Sequence, residues 1–105
     1  MREISVEDVA KRLREDSSFV LLDVREPDEL ATVKVEGARW IPMREVPQRL
    51  GELDANAPIA VMCHHGGRSE RVAGFLTARG FSNVANVEGG IDAYAQRVDP
   101  SLARY

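Results

Sequence analysis

The chain has 105 residues, 44% of them apolar and 30% charged, with a formal net charge of −3. That length is ordinary for one domain, here residues 1–105, and buries roughly two-thirds of the unfolded surface without disulfides or a structural metal. The acidic balance disfavours nucleic acid or an anionic membrane surface as a partner, and no apolar run approaches the ~20 residues of a bilayer span.

The start, Met1 to Asp8, has no apolar stretch and carries acids early, unlike a secretory signal. Ser5 is placed to cap a helix in which Val6, Val9, Ala10 and Leu13 recur as one buried stripe. Phe19 to Val24 is a continuous apolar run interrupted only by Asp23, the pattern of a strand covered on both faces. Glu26 to Leu30 reads as a short helix with Pro27 in its first turn. Ala38 to Ile41 is a short strand stopped by Pro42. Arg44 to Leu50 is another short helix, in which Pro47 must lie in the first turn or break it.

Pro58 to Cys63 is a second fully apolar strand, ending at the only cysteine of the chain. Ser69 to Arg79 follows as a helix with Val72, Ala73, Phe75 and Leu76 inward, Gly80 as its stop and Phe81 folding back. Val84 to Val87 is a strand, Gly89-Gly90 a tight turn, and Ile91 to Val98 a final helix. No repeat or low-complexity tract interrupts the alternation. Strands separated by helices require crossover connections, hence a mainly parallel sheet with helices on both faces. Ligands of such sheets bind beyond the carboxyl ends of the strands, where Asp23 and Cys63 both fall.

The segment Cys63-His64-His65-Gly66-Gly67-Arg68-Ser69 joins a buried strand to a helix. Its glycines let successive N–H groups converge on one point, the helix start near Ser69 adds unsatisfied N–H groups, and Arg68 adds charge. A thiol inside such a ring loses its proton readily, and the same field stabilises a Cys–S–S⁻ persulfide. His64 and His65 either line the mouth, where partial protonation adds positive charge, or are plain exposed loop residues. They are not read as a metal site. Consecutive side chains rarely converge on one ion, and no second zinc-type ligand pair exists. With one cysteine there is no internal disulfide, and a reducing cytoplasm is the simplest compartment.

Three blocks together resemble the rhodanese-like family over nearly the whole chain. Cys63-x-x-Gly66-x-Arg68-Ser69 is similar to its active-site loop, Asp23-Val24-Arg25-Glu26-Pro27-Asp28-Glu29 to its Asp-x-Arg-x-x-x-Glu block, and Gly89-Gly90-Ile91-Asp92-Ala93-Tyr94 to its Gly-Gly-x-x-x-Trp ending. The resemblance implies an α/β three-layer sandwich around a parallel sheet of about five strands. It also implies sulfur transfer through a persulfide on Cys63, with Arg68 and the loop residues His64, His65, Gly66, Gly67 and Ser69 holding the donor. Asp23 would support the loop or cap the following helix, and Arg25 would pair with Glu29. No metal or organic cofactor is implied. The partners would be a small sulfur donor such as thiosulfate and a thiol, protein or cyanide acceptor.

Two departures stand out. Val33 to Ala38 replaces the family's Gly-His-Ile-Pro-Gly-Ala, with Lys34 for histidine, and Tyr94 replaces tryptophan. A phosphatase or arsenate reductase of this fold would have one more residue between cysteine and arginine than the four found here, His64 to Gly67. A non-catalytic binding module is the remaining alternative, and it must explain why an activated loop is kept.

Overall fold

The computed structural model describes residues 2–105. Five strands, β1 (Glu3–Ile4), β2 (Val20–Asp23), β3 (Arg39–Trp40), β4 (Ile59–Met62) and β5 (Val84–Val87), alternate with four helices. The helices are α1 (Val6–Glu15), α2 (Pro27–Thr32), α3 (Gly67–Ala78) and α4 (Gly90–Arg97), and a 3-10 segment covers Met43–Glu52. The sheet order is β1-β5-β4-β2-β3 and every pairing is parallel. Leu22 and Asp23 of β2 stand opposite Val61 and Met62 of β4, so the carboxyl ends of the two central strands lie level.

Alternation along the strands sends side chains to two cores. Leu21, Ala60, Met62 and Val87 pack with Val6 and Val9 of α1 and Ile91 and Tyr94 of α4. Leu22, Ile59, Val61 and Val84 pack with Val72, Ala73 and Leu76 of α3 and with Val46. This is the expected three-layer arrangement. Tyr94 is buried among these apolar side chains, in keeping with a packing role for this replacement.

Local signals account for most boundaries. Ser5 Oγ accepts the Asp8 N–H at 3.1 Å and starts α1. Glu26, not Asp23, caps α2, through a reciprocal capping box with Glu29. Phe81 N–H returns to the Leu76 carbonyl at 3.1 Å beyond the end of α3. One strand escapes the sequence reading, and two readings need correction. Strand β1 has only two residues, too few to show a period, and forms because β5 offers it a free edge. Residues 43–52 are 3-10 rather than α-helical: Pro47 lies inside and Arg49 departs from helical geometry (φ −116°, ψ 18°). Helix α3 begins at Gly67, two residues before the expected Ser69, with Gly66 as its cap. Between α2 and β3, Val33 and Val35 point inward while Lys34 is exposed, so the lysine leaves the core untouched.

Helix α4 is stitched to the end of β4. The Ile91 N–H donates to the Cys63 carbonyl at 2.9 Å and the Asp92 N–H to the His64 carbonyl at 3.1 Å. This approach requires Gly90, whose φ is +61° and whose missing Cβ would lie 2.6 Å from the Cys63 carbonyl oxygen. Gly90→Ala should cost about 3 kcal/mol from overpacking and left-handed strain. Thermal melts should show a midpoint lower by about 10 °C or more; an unchanged midpoint would contradict this reading of the clamp.

Candidate functional site

Cys63 follows β4 and is 1% exposed, with its backbone held by α4 and its sulfur turned into the cap of α3. Gly66, at φ +122°, folds the chain back so that its N–H donates to Cys63 Sγ at 3.1 Å. Ser69 Oγ lies 3.3 Å from the same sulfur. Burial alone would raise the thiol pKa. The Ser69 hydroxyl and the N–H groups of Ser69, Gly66 and Arg68 outweigh it and hold the thiol below its ordinary value. Of the loop N–H groups, that of Gly66 makes the hydrogen bond to the sulfur, and those of Arg68 and Ser69 add to its electrostatic stabilisation.

Cys63, His64, His65, Gly67, Arg68 and Arg71 line the open mouth. Ser69 does not join them: it is fully buried beneath the loop and meets sulfur rather than solvent. Its hydroxyl also reaches the Gly66 carbonyl, at 3.2 Å, and Asn86 Oδ1. Asn86 was not among the sequence candidates. The available signal was a polar side chain inside the otherwise apolar strand Val84 to Val87.

The acidic and basic residues pair differently from expectation. Arg25 binds Asp23, with Nε at 3.0 Å from Oδ1 and Nη2 at 2.8 Å from Oδ2, and both side chains are fully buried. Its other donors reach the Val33 carbonyl at 2.8 Å, the Glu29 carbonyl at 3.3 Å and the Tyr105 hydroxyl at 3.0 Å. All five guanidinium N–H donors are therefore occupied. The expected Arg25–Glu29 side-chain pair is absent because the buried Asp23 carboxylate claims that charge. The Glu29 carboxylate instead takes Arg68 in a bidentate pair, Nη1 to Oε1 at 2.6 Å and Nη2 to Oε2 at 2.8 Å. Asp23 neither caps α2 nor touches the loop; its support runs through Arg25, Tyr105 and Glu29 to Arg68.

Tyr105 gave no signal in sequence, lying far from every motif. Its hydroxyl donates to Glu29 Oε2 at 2.7 Å, and its ring stacks on His64 with centroids 3.8 Å apart and planes 6° from parallel. His64 stacks in turn on His65 at 3.9 Å. Burial, then the neighbouring His65, lowers the His64 pKa below the ordinary imidazole value. The shift favours the neutral imidazole at this wall of the mouth. His65 is exposed, with Nε2 3.8 Å from Asp92 Oδ2. Ligand atoms of His64, His65 and Asp92 do come within 4.8 Å of one another, closer than consecutive histidines suggested. Asp92 is already engaged by Arg104 at 3.0 and 3.2 Å.

A family model for the rhodanese-like domain matches residues 5–97. The chain belongs to that family. It is 31% identical to a protein named Sulfurtransferase from Allochromatium vinosum, over 98% of this chain and 96% of that one. It is 34% identical to the thiosulfate sulfurtransferase GlpE of Pseudomonas putida, over 81% and 77% of the two chains. A rhodanese-like domain protein of Staphylococcus aureus superposes with a TM-score of 0.84 at 30% identity, covering 100% and 99%. The chain spans only 38% of the length of another relative, the Rhodanese-like/PpiC domain-containing protein 12, chloroplastic, of Arabidopsis thaliana, at 35% identity. Among the described residues no helix is long and apolar enough to cross a membrane. These relationships support rhodanese-type sulfurtransferase activity in general.

Arg68, against the opposing effect of burial, then the Glu26 N–H and the Tyr105 hydroxyl, hold the Glu29 carboxyl down to about 2 from an ordinary 4.5. A depressed carboxyl pKa contributes stability that is present above the ordinary value and lost as pH falls through the folded one. Glu29→Gln should therefore be less stable than wild type at pH 7, with the gap closing between pH 4.5 and about 2. Urea midpoints across that range test this; a gap independent of pH would show that Glu29 acts by shape alone.

Proposed function

We propose that the protein moves sulfane sulfur from an anionic donor such as thiosulfate to a thiol or cyanide acceptor through a persulfide on Cys63. The observation that carries this reading is a buried thiol held by Gly66 N–H and Ser69 Oγ at the mouth formed by the family's loop. A relative named for thiosulfate supports the choice of donor.

The Cys63 thiolate attacks the outer sulfur of thiosulfate. The new S–S bond forms as the sulfur–sulfite bond breaks, and sulfite leaves with the electron pair. Negative charge passes to the terminal sulfur of Cys63–S–S⁻, where the preset N–H donors of the loop hold it. Cyanide, or the thiolate of an acceptor, then attacks the terminal sulfur and the Cys63 thiolate is restored as leaving group. Both half-reactions balance without an oxidant. Arg68 takes part as half of a neutral pair with Glu29, which keeps it beside the loop. Arg71, exposed on the same mouth, supplies the charge that draws the anionic donor. The histidine-paired loop and single cysteine resemble those joined to carrier-protein activating enzymes, which favours a protein or low-molecular thiol as acceptor over cyanide.

Intact-mass measurement after incubation with thiosulfate tests the scheme. The expected result is one added sulfur that disappears with cyanide and never forms in Cys63→Ala. Protein left unmodified by thiosulfate and by other sulfane-sulfur donors would overturn it and favour a non-catalytic binding module.

A further inference from the structure

The buried polar cluster beneath the loop holds one hydroxyl proton within reach of three acceptors. Ser69 Oγ lies 3.3 Å from Cys63 Sγ, 3.2 Å from the Gly66 carbonyl and in hydrogen-bond contact with Asn86 Oδ1, but a serine hydroxyl has a single proton. The orientation of the Asn86 amide is set by its other end. Nδ2 donates to Glu3 Oε2 at 3.1 Å and to the Gly66 carbonyl at 3.3 Å, so the amide oxygen faces Ser69. Asn86 is 3% exposed and Ser69 fully buried, so water does not relieve the competition.

We propose that Asn86 is a positioning residue that competes with the Cys63 sulfur for the Ser69 proton and so holds back ionisation of the thiol. While Cys63 is protonated, its S–H donates to Ser69 Oγ and the Ser69 O–H donates to Asn86 Oδ1. When the thiol ionises, or carries a persulfide charge, the hydroxyl turns to sulfur and Asn86 Oδ1 loses its donor. The reactivity of the resting thiol is thereby set on β5, one strand away from the cysteine. The inference rests on Cys63 acting as a thiolate nucleophile. Other charges face the sulfur or its mouth: Arg68 and Arg71 on α3, His64 and His65 in the loop, Glu29 on α2 through Arg68, Asp92 on α4 beside His65, and Glu3 on β1 behind Asn86. Replacing Asn86 with an apolar residue changes none of their number.

The test is the pH dependence of Cys63 alkylation by iodoacetamide, which reads the thiolate directly. It is measured for wild type, Asn86→Leu, Ser69→Ala and the double variant, each checked for a cooperative melt. Asn86→Leu should move the midpoint down by about half a unit to one unit, the equivalent of one hydrogen bond released to sulfur. Ser69→Ala should move it up, and Asn86→Leu should then add nothing in that background. If the leucine variant does not fold, Asn86→Ala removes the same carbonyl with less volume to place, and the same signs are expected. An unchanged or raised midpoint in the Asn86 variant overturns the proposal, as does an equal downward shift with Ser69 absent. Alkylation needs no sulfur donor, so a protein that forms no persulfide and one in which Asn86 has no influence are told apart.

Discussion

A guanidinium with no solvent exposure is costly unless every donor is met and its charge is paired, and Arg25 meets both conditions. Asp23 at the end of β2 supplies the countercharge, Val33 and Glu29 supply carbonyls from either end of α2, and Tyr105 supplies a hydroxyl from far along the chain. Helix α2 has no fully buried residue, so its position depends on these polar contacts more than on apolar packing. The Trp40 indole, donating to the Arg25 carbonyl at 2.8 Å, ties β3 to the same point.

From that fixed centre the order passes outward to the loop. Tyr105 links Arg25 to Glu29, and Glu29 grips Arg68 two residues after the glycine cap. On the other side Asn86 links Glu3 of the edge strand to Ser69 and Gly66. Beneath, α4 holds the carbonyls of Cys63 and His64. The cradle therefore has three independent anchors, from α2, from β5 and from α4. Preorganised donors of this kind stabilise charge without reorganising when it appears.

Most of the fold was legible because its elements obey local rules. Continuous apolar runs marked β2 and β4, a serine cap marked α1, and paired glycines marked the turn into α4. Cys63, Gly66 and Arg68 were legible as a loop from their spacing. The partners of the charged residues were not. The resemblance implied that Arg25 pairs with Glu29, but Arg25 precedes α2 and its guanidinium turns to the buried Asp23 carboxylate instead. Ser69 was expected to help hold the donor as part of the family's loop motif, whereas the earlier start of α3 turns it inward.

The sequence by itself determined the succession of the longer strands and helices from α1 onward, the parallel sheet and the thiol at a strand end. Hydrophobic periodicity, capping and turn chemistry act over a few residues, so they can be read along the chain. Tertiary structure alone decided which acceptor each buried donor meets: Asp23 for Arg25, Glu29 for Arg68, Asn86 for Ser69 and Tyr105 over His64. Contacts of this kind join residues 80 positions apart, as between Arg25 and Tyr105, and 83 apart, as between Glu3 and Asn86. They follow from the need to satisfy every buried charge at once, a condition that exists only after the layers have closed.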